Sequence, residues 1–377
     1  MIYKDFKGKK LSALGFGTMR LPLIDGDDKK IDEEKVAEMF DYAIKNGVNY
    51  FDTAYGYHGG NSEIVTGKAL NRYPRDSYYI ATKFPGYDVR NMDKVKTIFP
   101  EQLEKTGMDY FDFYLIHNVC ERNIEQYLDP KYGIYDYLLE QKKNGKIHHL
   151  GFSVHGTYET MERFLAAYGE GMEFCQIQLN YVDWDFQDAK EKIELLKEYK
   201  IPVWVMEPVR GGKLAKLDEK YEAALREMRP GESTAAWAFR FIQTIPEVVV
   251  TLSGMSEFEQ VKENIEIFSE SKELSGKELS ALLDIAEEMT SVNSVPCTAC
   301  RYCTSQCPME LDIPTLLELY NEFNFTGGGF LAPMRINAMP EEKRPSACIG
   351  CQGCESLCPQ GIEISKAMAD FAEKLGK

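Results

Sequence analysis

No apolar run among the 377 residues approaches the ~18 a membrane-crossing helix needs, which excludes a transmembrane span. The N-terminal stretch carries Lys4, Lys7, Lys9 and Lys10 with no apolar core behind them, so no export signal is read. Positive charge is in short supply: 44 Lys and Arg against 60 Asp and Glu leave a net charge of -16. Such a surface repels phosphate backbones and anionic lipid and argues against nucleic-acid or membrane partners. Cysteine is scarce at first, since only Cys120 and Cys175 precede residue 297, and the other eight lie between Cys297 and Cys358. Together these absences predict a cytoplasmic protein, in which clustered cysteines are metal ligands rather than disulfides.

What is present is ordinary globular composition, 44% hydrophobic and 28% charged, which excludes disorder and collagen-like chains. Single cores stop growing near ~250–300 residues. The change of character near residue 290 therefore predicts two domains, 1–290 and 291–377.

In the first domain, apolar runs of strand length alternate with stretches of helical period. The strands are expected at Leu11–Gly17, Tyr50–Thr53, Tyr78–Phe84, Phe111–His117, His148–Val154, Phe174–Asn180, Val203–Glu207 and Val248–Ser253. Helical stretches such as Asp32–Asn46, Thr157–Ala167 and Ser233–Gln243 fall between them. Near-continuous apolar strands, each followed by a helix, predict an α/β fold with a covered parallel sheet. An open doubly wound sheet would want G-x-G-x-x-G after its first strand, and Gly15-Phe16-Gly17-Thr18 runs into Met19, Arg20 and a proline-containing turn. A closed (β/α)8 TIM barrel is expected, with its chemistry at the C-terminal strand ends.

Three of those ends carry four reactive groups. The second strand closes in Asp52, with Tyr55 and Tyr57 just beyond; the third holds Lys83 and the fourth His117. A carboxylate, a phenol, an ammonium and an imidazole on one rim suit carbonyl reduction by hydride. There a tyrosine protonates the developing alkoxide, a lysine held by Asp52 favours the phenolate, and His117 orients the carbonyl.

These residues carry a resemblance to the aldo-keto reductase family across the whole barrel. The matching stretches are Gly15-Phe16-Gly17-Thr18, Phe51 to Tyr57 with Ser62-Glu63 and Gly67-Lys68-Ala69-Leu70, and Lys83 and His117. Gly151-Phe152-Ser153, Gln176-Ile177-Gln178 and Leu252 to Ser256 with Gln260, Glu263 and Asn264 complete the pattern. The family spacing selects Tyr57 as the acid, with Tyr55 as the fallback. The resemblance implies NADPH or NADH and a small-molecule carbonyl substrate. It implies Ser153 and Gln176 near the nicotinamide amide. Gly17, Thr18, Pro208, Arg210, Lys216, Gly254, Ser256, Gln260 and Asn264 are implied along the rest of the nucleotide. Two positions depart from the family: Met206 stands where many members stack an aromatic ring, and Val154 follows Ser153.

The second domain repeats one frame. Cys297-x2-Cys300-x2-Cys303-x3-Cys307-Pro308 recurs as Cys348-x2-Cys351-x2-Cys354-x3-Cys358-Pro359. Three cysteines three apart wrap one corner of a cubane, and the ferredoxin pattern gives the fourth to the other cluster. Two 4Fe-4S clusters are expected, one on Cys297, Cys300, Cys303 and Cys358 and one on Cys348, Cys351, Cys354 and Cys307. Zinc is the weaker reading, since it prefers paired C-x2-C knuckles. The helical connection, with Pro314–Phe323 and Gly327-Gly328-Gly329, resembles α-helical ferredoxin domains and predicts a small, mainly α-helical ferredoxin-like unit. Cys120 and Cys175 are expected to be buried small hydrophobes. Trp184 and Phe186 either line the substrate mouth or pack in the core.

Nicotinamide moves two electrons together and each cluster one. An NAD(P)H-dependent reductase carrying clusters is therefore the first reading. The alternatives are a reductase drawing electrons from ferredoxin or another redox protein, directly or through a flavin, and a non-catalytic electron-transfer or regulatory subunit.

Overall fold

The computed structural model describes residues 1–291, 294–297, 300–301, 303–358 and 360–376; Pro359, which closes the second cysteine frame, lies outside the described residues. The chain divides into two compact units, Met1–Leu282 and Leu283–Lys377.

The first unit opens with a hairpin, β1 (Tyr3–Phe6) and β2 (Lys9–Ser12), paired antiparallel. Its two-residue turn has positive φ at Lys7 (48°) and Gly8 (81°), as the twist of a tight hairpin demands. The barrel strands are β3 (Leu14–Gly17), β4 (Tyr50–Asp52), β5 (Tyr79–Phe84), β6 (Phe111–Val119), β7 (Ile147–Val154), β8 (Cys175–Gln178), β9 (Val203–Met206) and β10 (Val248–Gly254). They close in the order β10-β3-β4-β5-β6-β7-β8-β9, and every pair is parallel. The sequence foresees all eight, with one correction. Leu11–Gly17 is two strands, because the chain turns at Ala13, whose N–H bonds to the Ile2 carbonyl.

Helices α1 (Glu33–Lys45), α2 (Ser62–Leu70), α3 (Val95–Thr106), α4 (Ile124–Leu128), α5 (Ile134–Lys143) and α6 (Tyr158–Tyr168) follow in order. They are joined by α7 (Asp183–Phe186), α8 (Ala189–Glu198), α9 (Glu219–Met228), α10 (Thr234–Gln243), α11 (Phe258–Ile267) and α12 (Gly276–Ser291). Local chemistry starts several of them. Asp32, Thr157 and Ser233 each accept a backbone N–H of the first turn of α1, α6 and α10, satisfying a donor the helix cannot. The buried stripe of α1 meets the sheet through Phe40, whose ring lies 4.8 Å from Phe16 and 4.7 Å from Phe51. At Gly67, a Cβ would sit 2.1 Å from the Thr106 carbonyl oxygen. Only glycine lets α2 approach the end of α3 this closely.

Aromatic packing fills one end of the barrel. Phe6 from the hairpin lies 5.0 Å from Trp204 and 5.7 Å from Phe113, in a buried cluster with Tyr50, Phe174 and Leu252. In barrels of this kind chemistry collects at the opposite rim, at the strand C-termini.

The second unit is helical: α13 (Ile313–Thr326), α14 (Leu331–Ala338) and α15 (Ile364–Lys374). Pro314 sits in the first turn of α13, and Gly327 ends it with φ 65°, the left-handed cap glycine supplies without strain. Phe371 of α15 packs 5.6 Å from both Tyr320 and Phe323 of α13. The core also contains Cys303 and Cys354.

Candidate active site and thiolate sites

Parallel pairing aligns the strand ends, so residues far apart in sequence meet on one rim. Asp52 ends β4 beside Ala81 of β5, and Lys83 lies opposite Leu115 of β6, two residues before His117. The Lys83 ammonium is fully buried and donates to Asp52 Oδ1 at 2.6 Å and to the Thr53 carbonyl at 2.7 Å. Burial pushes the Asp52 carboxyl up and the Lys83 ammonium down, and the contact between them opposes both shifts. Beneath them runs a second polar layer to which the sequence assigns no role. Glu63, wholly buried, accepts from Thr82 Oγ1 (2.6 Å), Gln102 Nε2 (2.7 Å) and Lys105 Nζ (2.7 Å), while Gln102 also donates to the Lys83 carbonyl at 3.0 Å. Its only trace in the sequence is the Ser62-Glu63 pair.

The two tyrosines part company. Tyr57 is half-buried, with its ring centroid 5.1 Å from Lys83 Nζ and 6.3 Å from the His117 ring. Tyr55 faces α3 instead. Its hydroxyl donates to the Glu101 carboxylate at 3.2 Å, and Lys105 lies 4.5 Å from its ring. Burial, with the charges of Asp52 and Glu207, holds the Tyr57 phenol above its ordinary range. The sequence reading has Lys83 favouring the phenolate, whereas here the lysine charge is matched by Asp52 and burial prevails.

Burial, then repulsion from Lys83 and from His155, holds the His117 imidazole well below its usual pKa, so it is neutral at pH 7. Its backbone carbonyl accepts from the Tyr127 hydroxyl at 2.7 Å, and its Nδ1 is buried with no hydrogen-bond partner among the described residues. Tyr87 adds a third aromatic wall that no sequence signal announces. It stands edge-on to His117 at 5.2 Å, and its hydroxyl lies where a Cβ on Gly56 would come within 2.0 Å.

Of the residues implied for the nucleotide, Gly17, Ser153, Gln176 and Gly254 lie on barrel strands, while Gln260 and Asn264 lie on α11. Ser153 of β7 pairs with Gln176 of β8, and Gln178 with Met206 of β9. Gln176 donates to the Met206 sulfur at 3.5 Å, while its Oε1 is buried with no partner among the described residues. The Ser153 hydroxyl accepts from the Asn118 N–H at 2.8 Å. An amide oxygen so placed fits a carboxamide N–H arriving from a ligand, so the Gln176–Ser153 edge suits a nicotinamide.

Gly17 and Gly254 pair across β3 and β10. The Thr18 hydroxyl is occupied by the Asp52 carbonyl and the Ser62 hydroxyl. Ser256 Oγ donates to the Arg20 carbonyl, Gln260 Oε1 accepts the Ser256 N–H, and Asn264 donates to Ser253 Oγ. Pro208 is buried and Lys216 exposed. Arg210 is buried, its Nε 3.0 Å from Asp183 Oδ1, so its charge is directed at Asp183. Trp184 packs edge-on to Phe241 at 5.5 Å, and Phe186 lies 5.6 Å from the Arg210 guanidinium. Cys120 and Cys175 are buried, with the Cys120 thiol pushed up to about 11, which leaves neither as a nucleophile.

In the second unit one hollow is lined by Cys307, Cys348, Cys351 and Cys354. Another is lined by Cys297, Cys300, Cys303 and Cys358. Each takes three cysteines of one frame and the last of the other. Among the described residues no group of three His, Cys, Asp or Glu side chains closes on a single metal ion. Four thiols facing one hollow without closing on a point suit a body of several atoms.

Comparison with known proteins agrees with this division. Residues 13–287 match the Aldo/keto reductase family, and residues 296–363 match a 4Fe-4S dicluster domain. The chain is 27% identical over 302 residues to the NADH-specific methylglyoxal reductase of Escherichia coli, covering 68% of this chain and 89% of that protein. It is 26% identical over 303 residues to the oxidoreductase YqkF of Bacillus subtilis, covering 72% and 92%. An aldo-keto reductase of Bacillus halodurans in its holo form superposes with a TM-score of 0.62 at 25% identity, over 76% of this chain and 96% of that one. A Klebsiella pneumoniae aldo-keto reductase solved with NADPH shares the fold at 19% identity and a TM-score of 0.59, over 76% and 96%. With its closed barrel, the buried lysine–carboxylate pair at its rim and a family match spanning nearly all of the first unit, this chain is an oxidoreductase belonging to the aldo/keto reductase family, extended by a 4Fe-4S dicluster domain.

Proposed function

We propose that the protein reduces a small-molecule aldehyde or ketone at the expense of NADPH or NADH and carries two 4Fe-4S clusters in its second unit. The observation that carries this reading is the buried Lys83–Asp52 pair facing Tyr57, with a neutral His117 alongside. The nucleotide, when bound, supplies the hydride. Ser153 and Gln176 would hold its carboxamide, with Met206 beside them. Gly17, Thr18, Gly254, Ser256, Gln260 and Asn264 would line the rest, with Pro208, Arg210 and Lys216 on the loop after β9.

This chain's own groups handle the proton. His117 holds the carbonyl oxygen, and Tyr57 O–H gives up its proton as negative charge develops on that oxygen. Two of the three Lys83 donors are spent on Asp52 and Thr53, and the third can be turned toward the phenol. The clusters, when present, offer one-electron chemistry, and Cys297, Cys300, Cys303 and Cys358 would hold one and Cys348, Cys351, Cys354 and Cys307 the other.

The decisive assay mixes anaerobically purified protein with NADH or NADPH and small aldehydes, methylglyoxal included. Nucleotide oxidation that depends on the aldehyde is expected. Turnover with reduced ferredoxin and none with either nucleotide would replace this reading with the ferredoxin-linked one.

The raised Tyr57 and depressed His117 set the pH dependence. Reduction needs the protonated phenol and the neutral imidazole, and both persist as pH rises through neutrality. The kcat/KM for reduction is expected to stay flat from about pH 6 to about pH 9, whereas alcohol oxidation, which needs the phenolate, climbs with pH. A reduction rate that falls through pH 7 sinks the assignment.

Iron content tests the thiolates. Cys303 and Cys354 are buried in the core of the second unit, so Cys303→Ser or Cys354→Ser should cut bound iron to about half and lower the melting temperature of that unit. Unchanged iron in both variants, or zinc in its place, contradicts the cluster assignment.

A further inference from the structure

We propose that His58 is a positioning residue that holds the Tyr57 turn against the loop after β3 through its imidazole; this rests on the reading of Tyr57 given above. His58 follows Tyr57 in the chain and adopts φ 53°, ψ 43°. That is the left-handed region, where glycine is the natural occupant and a Cβ is costly. Gly59 and Gly60, which continue the turn, have φ 62° and 95°. A histidine in such a backbone calls for a compensating role of its side chain.

The contacts supply one. The side chain is only 2% exposed. Nδ1 lies 3.0 Å from both the carbonyl and Oδ1 of Asp28, two acceptors that place a proton there. With the proton on Nδ1, Nε2 accepts the Leu21 N–H at 3.3 Å, and the Thr18 carbonyl stands 3.1 Å away beside it. One ring thus clamps both ends of the loop between β3 and α1. Gly59 packs where a Cβ would be 3.0 Å from Lys29, and Asn61 Nδ2 donates to the Lys29 carbonyl at 2.9 Å, so the whole turn is docked on the same loop.

The loop that the ring holds reaches the proton donor's partners through one residue. The Thr18 carbonyl accepts from the Ser62 hydroxyl at 3.3 Å, and the Thr18 hydroxyl donates to the Asp52 carbonyl at 3.0 Å. Tyr57 and Asp52 are therefore referenced to the same peptide. Placement errors of an ångström at a reacting group cost about 10²-fold in rate, so loosening this clamp should act on turnover more than on binding.

His58→Gly is the diagnostic variant, because it relieves the backbone while deleting the ring. The expected result is a folded protein with an unchanged or higher melting temperature. Its kcat should fall at least about tenfold, with KM for nucleotide and carbonyl within about threefold, and its primary deuterium isotope effect should increase. His58→Asn keeps a side chain tolerant of the left-handed region and a donor for Asp28, and should recover part of the loss. Independently of activity, amide exchange at Leu21 and Asn61 should accelerate in His58→Gly while the barrel strands stay protected. A His58→Gly protein with wild-type kcat overturns the proposal, and so does unchanged exchange at these amides. Absence of nucleotide turnover in the wild type defeats the reductase reading instead, and the exchange measurement still decides the clamp.

Discussion

Tyr57→Phe is expected to lower kcat for carbonyl reduction by about 10²–10⁴-fold, the range supplied by a positioned general acid, with little change in KM or melting temperature. The ring contacts to His117 and Lys83 survive in phenylalanine, and only the transferable proton is lost. Tyr55→Phe is the control, since it gives up a half-exposed bond to Glu101 that lies away from Lys83, and it should leave the rate intact. Stopped-flow single turnovers separate the chemical step from product release. A Tyr57→Phe enzyme with undiminished single-turnover rate would remove Tyr57 from the mechanism, and a collapse in Tyr55→Phe would transfer the role to it.

Lys83→Met should damage both function and fold. Removing the ammonium strands the Asp52 carboxylate among buried atoms, where its Oδ2 already has no hydrogen-bond partner among the described residues. Breaking a buried pair in this way costs about 3–5 kcal/mol, a large fraction of a domain's margin. The double variant Lys83→Met with Asp52→Leu restores stability, because an apolar pair of similar volume carries no desolvation penalty. Neither variant should reduce a carbonyl. Denaturant unfolding of the single and double variants checks the first claim, and nucleotide oxidation the second. If the single variant unfolds at the wild-type midpoint, the pair contributes nothing to the fold.

These two results address different layers of the same rim, and the layers were not equally visible in the residues. Asp52, Lys83 and His117 announce themselves because each ends an apolar run, and the strand period alone identifies those ends. Glu63 does not, since a glutamate in the first turn of a helix is the commonest of surface features. Only the approach of α2 to α3 at Gly67 puts it in the dark between Thr82, Gln102 and Lys105. Arg210 also has a partner that no spacing announces: its guanidinium meets buried Asp183, which arrives on α7 after β8.

What is periodic or local could be read along the chain: eight apolar strands, the helical stretches between them, and two cysteine frames of one spacing. Such features follow from the 3.6- and 2-residue repeats and from short loops, which each segment carries within itself. Tertiary structure alone decided the rest. It turned Tyr57 toward Lys83 and Tyr55 toward Glu101, although the two are neighbours in the chain. It split the first expected strand at Ala13, and it buried Glu63 between Thr82, Gln102 and Lys105. Each of these is a meeting of groups from separate elements. Which groups meet is set by barrel closure and helix packing, through distances that no pattern along a single segment encodes.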